Sequence, residues 1–385
     1  MVQNFVIGFH RFHEDEGMNF QLNRFYSSGV FSYDELVTIG AQITDFDSWI
    51  ALFLQLAKNA EINGDSLKCA FCYRAAQFYT LGNQKDEQGH LLKATLYEKC
   101  MTAYQEAYSG VDELCYERIP YQTGYLPVYF MKHPGTSKGT IVLHGGYDSF
   151  MQEFLGYLFY FYENGYHTYF FEGPGQGEVL YRCHLKMIPQ WESCVSTVLD
   201  YFRLDDVTLI GISLGGYLAT RAAAYEPRIS RLVMFDLIYD FYGSLKARMG
   251  KVKGALLDYL TAHPDHILWK PLNKWMNKIY FLNWLFAQGY SIYEGIHTPC
   301  EYFNSIKQYN TRKISALIKQ DTLVLAGAKD IYTVFLQQQV DALTNARSVE
   351  SRLFTESEHA DHHCQIGNSQ LVLDVILEWI NRKEN

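Results

Sequence analysis

Across residues 47–108 the apolar positions recur every three or four residues. Trp49, Leu52, Phe53, Leu56 and Ala57 form one set, Leu67, Ala70, Phe71, Ala75 and Phe78 a second, and Leu92, Leu96, Tyr97, Met101 and Tyr104 a third. This is the period of a helix face, so the spacing predicts an α-helical region, assigned to residues 1–112, that packs against the rest of the chain. The period then changes. Residues 115–120 and 124–130 read as two strands joined by a short polar turn. Beyond them, short apolar runs at 141–144, 167–171, 207–212 and 231–235 alternate with helical patterns at 154–162, 194–202 and 214–225. Alternation of this kind predicts an α/β domain over 113–385, with a mostly parallel sheet and helices on both faces.

One connection is too long for that architecture. Between Asp236 and Asp321 lie 84 residues where one helix and two short loops suffice, so about 60 residues are inserted. The insertion, taken as 238–319, carries apolar helical material including Trp269, Trp275, Ile279, Phe281, Leu282, Trp284, Leu285 and Phe286. It reads as a lid that excludes water and shapes an apolar pocket.

Chemistry enters at Gly211-Ile212-Ser213-Leu214-Gly215-Gly216, which follows the apolar run 207–210 and precedes a helical stretch. A serine held on a sharp strand-to-helix turn sits in strained backbone geometry and needs small neighbours two positions away, which makes Ser213 the candidate nucleophile. Upstream, the strand-like 140–143 runs into His144-Gly145-Gly146-Tyr147-Asp148-Ser149. Acyl transfer builds negative charge on an oxygen, and glycines let backbone N–H donors approach it. Leu214 is assigned one donor, and Gly146 or Tyr147 the other. Asp330 stands at the carboxyl end of the strand-like 321–326, ahead of an amphipathic segment at 331–343, and is the preferred acid over Asp236 and Asp240. The base must come from the loop after 349–354, where spacing alone does not separate His359, His362 and His363.

Other readings are set aside on chemistry. His359, Asp361, His362 and His363 crowd one loop without the helical His-Glu-x-x-His spacing, so no metal site is expected. Cys69 and Cys72 lie in a helical pattern with no second cysteine pair, and read as buried helix cysteines. Glu172-Gly173-Pro174-Gly175-Gln176-Gly177-Glu178 is Gly-rich but lacks the Lys-Ser/Thr of a phosphate loop and the dinucleotide spacing, so nucleotide binding is rejected. With 33 Lys and Arg against 42 Asp and Glu, the net charge is −9, which argues against a nucleic-acid partner. Eight scattered cysteines suit a reducing cytoplasm. The opening segment Met1 to Arg11 lacks a signal-peptide pattern, and no run reaches the ~18 apolar residues of a membrane span, so no membrane partner is expected.

Taken in order, the elbow around Ser213, His144-Gly145-Gly146, Asp330 and the late histidines resemble the α/β-hydrolase superfamily. Within it, the helical start, His-Gly-Gly-Tyr-Asp-Ser, Glu-Gly-Pro-Gly-Gln-Gly-Glu and His363-Cys-Gln-x-Gly-Asn are similar to one particular branch. That branch holds dipeptidyl-peptidase or acylaminoacyl-peptidase-like bacterial proteins and carbon–carbon hydrolases of polyketides and pyridine-alkaloid diketones. The resemblance implies a capped serine hydrolase with His363 as base, acting without a cofactor on a small-molecule or short acyl-peptide substrate, with a homodimer left open. True acylaminoacyl peptidases carry a β-propeller ahead of this domain, and the repeated strand pattern it requires is not in the chain. The main expectation is an ester or amide acyl hydrolase. A β-diketone-type carbon–carbon hydrolase is the alternative, and a non-catalytic scaffold the third reading.

Overall fold

The protein is described by a computed structural model over residues 5–384; Met1–Asn4, part of the segment read for a signal peptide, and Asn385 lie outside the described residues. Five helices come first: α1 (Glu16–Ser27), α2 (Tyr33–Gln42), α3 (Phe46–Ile62), α4 (Ser66–Tyr79) and α5 (Leu92–Tyr108). The three periodic sets become α3, α4 and α5. Helices α1 and α2 are shorter, and side-chain caps mark their starts: Asp15 accepts from the Met18 N–H, and Ser32 with Glu35 forms a capping box. Trp49, Phe53, Phe71, Tyr97 and Tyr104 are buried in a core belonging to this region.

Eight strands come next: β1 (Cys115–Tyr121), β2 (Gly124–Met131), β3 (Thr140–His144), β4 (His167–Phe171), β5 (Val207–Ile212), β6 (Ile229–Phe235), β7 (Asp321–Gly327) and β8 (Ser348–Phe354). They form one sheet in the order β1-β2-β4-β3-β5-β6-β7-β8, antiparallel at β1–β2 and β2–β4 and parallel elsewhere. Helices α6 (Leu155–Glu163), α7 (Gly177–Tyr181), α8 (Glu192–Phe202) and α9 (Gly215–Ala223) connect the early strands. The long insertion between β6 and β7 folds as α10 (Phe241–Ala262), α11 (Trp269–Met276), α12 (Tyr280–Ile292) and α13 (Pro299–Ile306), and α14 (Leu336–Ala342) and α15 (Ser369–Glu384) close the chain. Side chains alternate between the two faces of the sheet: Ile141 and Leu143 meet α6 and α15, while Val142 meets the core under α8 and α9. This is the α/β-hydrolase fold.

Two expectations need adjustment. The segment expected to be amphipathic over 331–343 opens with a 3-10 turn, Thr333–Phe335, and is α-helical only in α14, because Asp330 turns the chain: its carboxylate accepts from the Tyr332 N–H at 3.0 Å and its carbonyl from the Thr333 hydroxyl at 2.7 Å. The aromatic residues of the insertion are also divided between different surroundings. Trp284 donates its indole N–H to the Phe78 carbonyl and packs on Phe78 and Tyr79, tying α12 to the amino-terminal helices, whereas Trp275, Ile279 and Phe281 point to solvent. Among the described residues, no helix is long and apolar enough to cross a membrane.

Candidate active site

The register of the sheet assembles the site. His144 at the end of β3 pairs with Gly211 of β5, and Ile212 pairs with Phe235 at the end of β6, so three strands deliver their carboxyl ends side by side. Ser213 then turns with φ of +63°, an unusual conformation for a residue with a Cβ, fixed by its N–H donating to the Phe235 carbonyl at 2.7 Å. The glycines are steric necessities here. A Cβ on Gly211 would come 1.9 Å from the Gly215 carbonyl oxygen, and one on Gly146 would come 2.8 Å from the Leu214 nitrogen.

Ser213 Oγ lies 2.7 Å from His363 Nε2, and His363 Nδ1 lies 2.5 Å from Asp330 Oδ2. The other two histidines are elsewhere. His359 is exposed, and His362 is stacked on Phe9 with its Nδ1 2.9 Å from Asp361. Of the rival acids, Asp240 caps α10 and pairs with Arg312, away from the imidazole. Asp236 is close: its Oδ2 is 3.5 Å from His363 Nδ1. That carboxyl is fully buried, accepting from the Leu237 and Cys364 N–H groups.

The two acids therefore divide their roles electrostatically. Burial, followed by the negative charge of Asp330, pushes the Asp236 carboxyl well above the carboxylate range. Burial works against ionisation of Asp330 too, but the adjacent His363 outweighs it and lowers its pKa. Burial likewise disfavours the charged form of His363, yet the Asp330 carboxylate overrides this and raises the imidazole well above its ordinary value. The sequence named Asp236 only as a rival to Asp330; the structure puts both beside one ring.

The loop carrying Gly146 and Tyr147 is braced from two directions. Gln176 donates its amide to the carbonyls of both Gly145 (2.9 Å) and Gly146 (2.8 Å), so the Gly-rich turn after β4 serves as a bracket for this loop. From the amino-terminal region, buried Arg74 of α4 donates to the Asp148 carbonyl and pairs with Glu153, which Arg24 of α1 also engages at 3.0 Å. Glu153 accepts the Phe150 N–H in turn. Neither bracing residue carries a pattern that sequence spacing reveals, since both act on backbone brought close only by folding. The Gly146 N–H faces Ser149 Oγ at 3.3 Å, while among the described residues the N–H groups of Leu214 and Tyr147 donate to no protein acceptor.

A cluster of aromatic rings reaches the imidazole of His363. Tyr147 packs against Phe241 of α10 and Tyr293 after α12, and Tyr332 packs against both Phe241 and the ring of His363. Asp236, His363 and Cys364 bring a carboxylate, an imidazole and a thiol within 4.8 Å of one another. Both ring nitrogens of His363 are already engaged by Ser213 and Asp330, so the set offers a cation no free imidazole lone pair.

The fold is that of the α/β-hydrolases, and the chain is similar to hydrolases that share it. No protein-family model matches the chain. It is similar to hydrolase acrC of Aspergillus aculeatus, 27% identical over 84% of this chain and 85% of that one. The alpha/beta hydrolase psoB of Aspergillus fumigatus is also 27% identical, over 91% and 88%. Among solved structures, 2,6-dihydroxy-pseudo-oxynicotine hydrolase superposes with a TM-score of 0.63 over 93% of this chain and 94% of that one, at 19% identity.

Proposed function

We propose that the protein is a serine hydrolase working through Ser213, His363 and Asp330, and the observation that carries this is the unbroken chain Ser213 Oγ–His363 Nε2–Asp330 at 2.7 and 2.5 Å. Ser213 attacks a carbonyl carbon while His363 Nε2 takes the hydroxyl proton, and Asp330 orients the ring and stabilises the imidazolium. The Leu214 and Tyr147 N–H groups receive the developing oxyanion; Tyr147 is favoured over Gly146 because the latter's N–H faces Ser149. The bond to the leaving group then breaks as His363 returns the proton to it. Water, deprotonated by the same nitrogen, attacks the acyl-enzyme, releasing a carboxylic acid and regenerating the serine.

An ester or amide acyl compound is the first substrate class. The cluster of Tyr147, Phe241, Tyr293 and Tyr332 favours a second reading, a flat conjugated ketone of the β-diketone kind, cleaved at carbon through the same steps. All eight cysteines are free, which supports placement in a reducing cytoplasm. A fluorophosphonate probe is expected to label the wild type at Ser213, with Ser213→Ala unlabelled and its turnover lower by about 10⁶. Unlabelled wild type under several pH conditions would favour a non-catalytic scaffold. Parallel assays on acyl-amino-acid anilides, esters and β-diketones separate the bond classes.

A further inference from the structure

The lid carries an apolar surface that is left exposed among the described residues. In the second half of α10, Gly254, Leu257 and Leu260 face inward, while Val252, Leu256 and Tyr259 stand on the outer side, Val252 with 84% of its surface exposed. Ile267 and Leu268 precede α11 and Trp275 lies on it, with 76%, 46% and 55% exposed. Leu268 and Trp275 are two helical turns apart and share a face. The two helices are held together where Trp269 donates to the Leu260 carbonyl at 3.0 Å and where Tyr259 meets the rings of His263 and His266. A lid helix that is apolar on its outer side as well as its inner one presents a face for a second partner.

Charge narrows the kind of partner. Residues 246–278 hold seven Lys and Arg against two Asp, a surplus of five positive charges in a chain whose net charge is −9. Lys246 is paired with Asp258, and Arg248 approaches Glu16. Lys251, Lys253, Lys270, Lys274 and Lys278 are exposed and form no ion pair among the described residues. A second copy seated here about a two-fold axis would set these lysines against their own equivalents. An anionic bilayer surface suits the combination, because its phosphates take the ammonium groups while its acyl boundary takes the indole and aliphatic side chains.

We propose that the α10–α11 face of the lid is a peripheral docking surface for membranes containing anionic lipid. This departs from the sequence expectation of no membrane partner, which rested on the lack of a spanning segment and does not bear on helices lying in the interface. Docking in this way is independent of the triad.

The test is co-sedimentation of the full chain with vesicles of phosphatidylcholine alone and of phosphatidylcholine mixed with phosphatidylserine. The protein is expected to pellet only with the mixed vesicles, and less as salt rises. Lys270→Gln with Lys274→Gln should weaken partitioning about thirtyfold, and Trp275→Ser should weaken it as well. Circular dichroism of both variants should match the wild type, since all three positions are on the surface. No pelleting, or pelleting that none of these substitutions alters, overturns the proposal. A dimer in light scattering that Trp275→Ser dissociates, without vesicle binding, assigns the face instead to contact between copies.

Discussion

At the scale of single residues, two buried carboxyls flank one imidazole, and burial and neighbouring charge shift their pKa values in opposite directions. Asp330→Asn removes the charge that raises His363, so turnover should fall by about 10⁴. Asp236→Asn replaces a carboxyl whose ionisation burial disfavours by a neutral amide of the same shape, and turnover should stay within several-fold of wild type. A crippled Asp236→Asn beside an active Asp330→Asn would transfer the acid role to Asp236. The pH profile gives a second check. His363 acts as a base only when neutral, and its pKa lies well above the ordinary 6.5. Activity should therefore rise with pH through a limb displaced above that value. The limb should move to lower pH in Asp330→Asn and stay in place in Asp236→Asn, as measured by kcat/KM against pH on an activated ester.

At the scale of elements, the loop after β3 depends on helices from a different part of the chain. Arg74 is nearly inaccessible and engages Asp148, Gln77 and Glu153 together, with its guanidinium 4.1 Å from the Phe150 ring centroid. Breaking a buried pair by removing one partner costs about 3–5 kcal/mol, and because Arg24 still holds Glu153, the lower end is expected for Arg74→Gln. Denaturant unfolding measures that loss. A fall in kcat larger than the change in KM would follow from a loosened Tyr147 donor. Loss of stability with kinetics unchanged would mean that Arg74 braces the helices only.

At the scale of the whole molecule, the amino-terminal helices share their core with α12 and with the loop after β3. Trp284 of α12 and Phe150 of the loop after β3 are both buried in the amino-terminal core, so that core is completed by residues from outside it. Residues 113–385 expressed alone would expose both side chains, together with the surface under α4 and α5. That fragment is expected to aggregate or to lose near-ultraviolet circular dichroism, and a soluble, fully active fragment would show that the helical region is dispensable.

Local signals along the chain determined the elements and their chemistry. Helical period announced α3, α4 and α5, short apolar runs announced the parallel strands, and the glycines around Ser213 announced a turn whose strain the φ of +63° displays. These are properties of neighbours in sequence, where residue type and backbone geometry act directly on each other. Tertiary structure alone decided that Asp236 sits beside the ring of His363, that Gln176 and Arg74 brace the loop of Tyr147, and that Trp275 points outward while Trp284 points in. Each of those outcomes depends on distances between segments far apart in the chain. Burial and neighbouring charge, the quantities that set a proton's place or the facing of an apolar ring, come into being only once those segments have packed together.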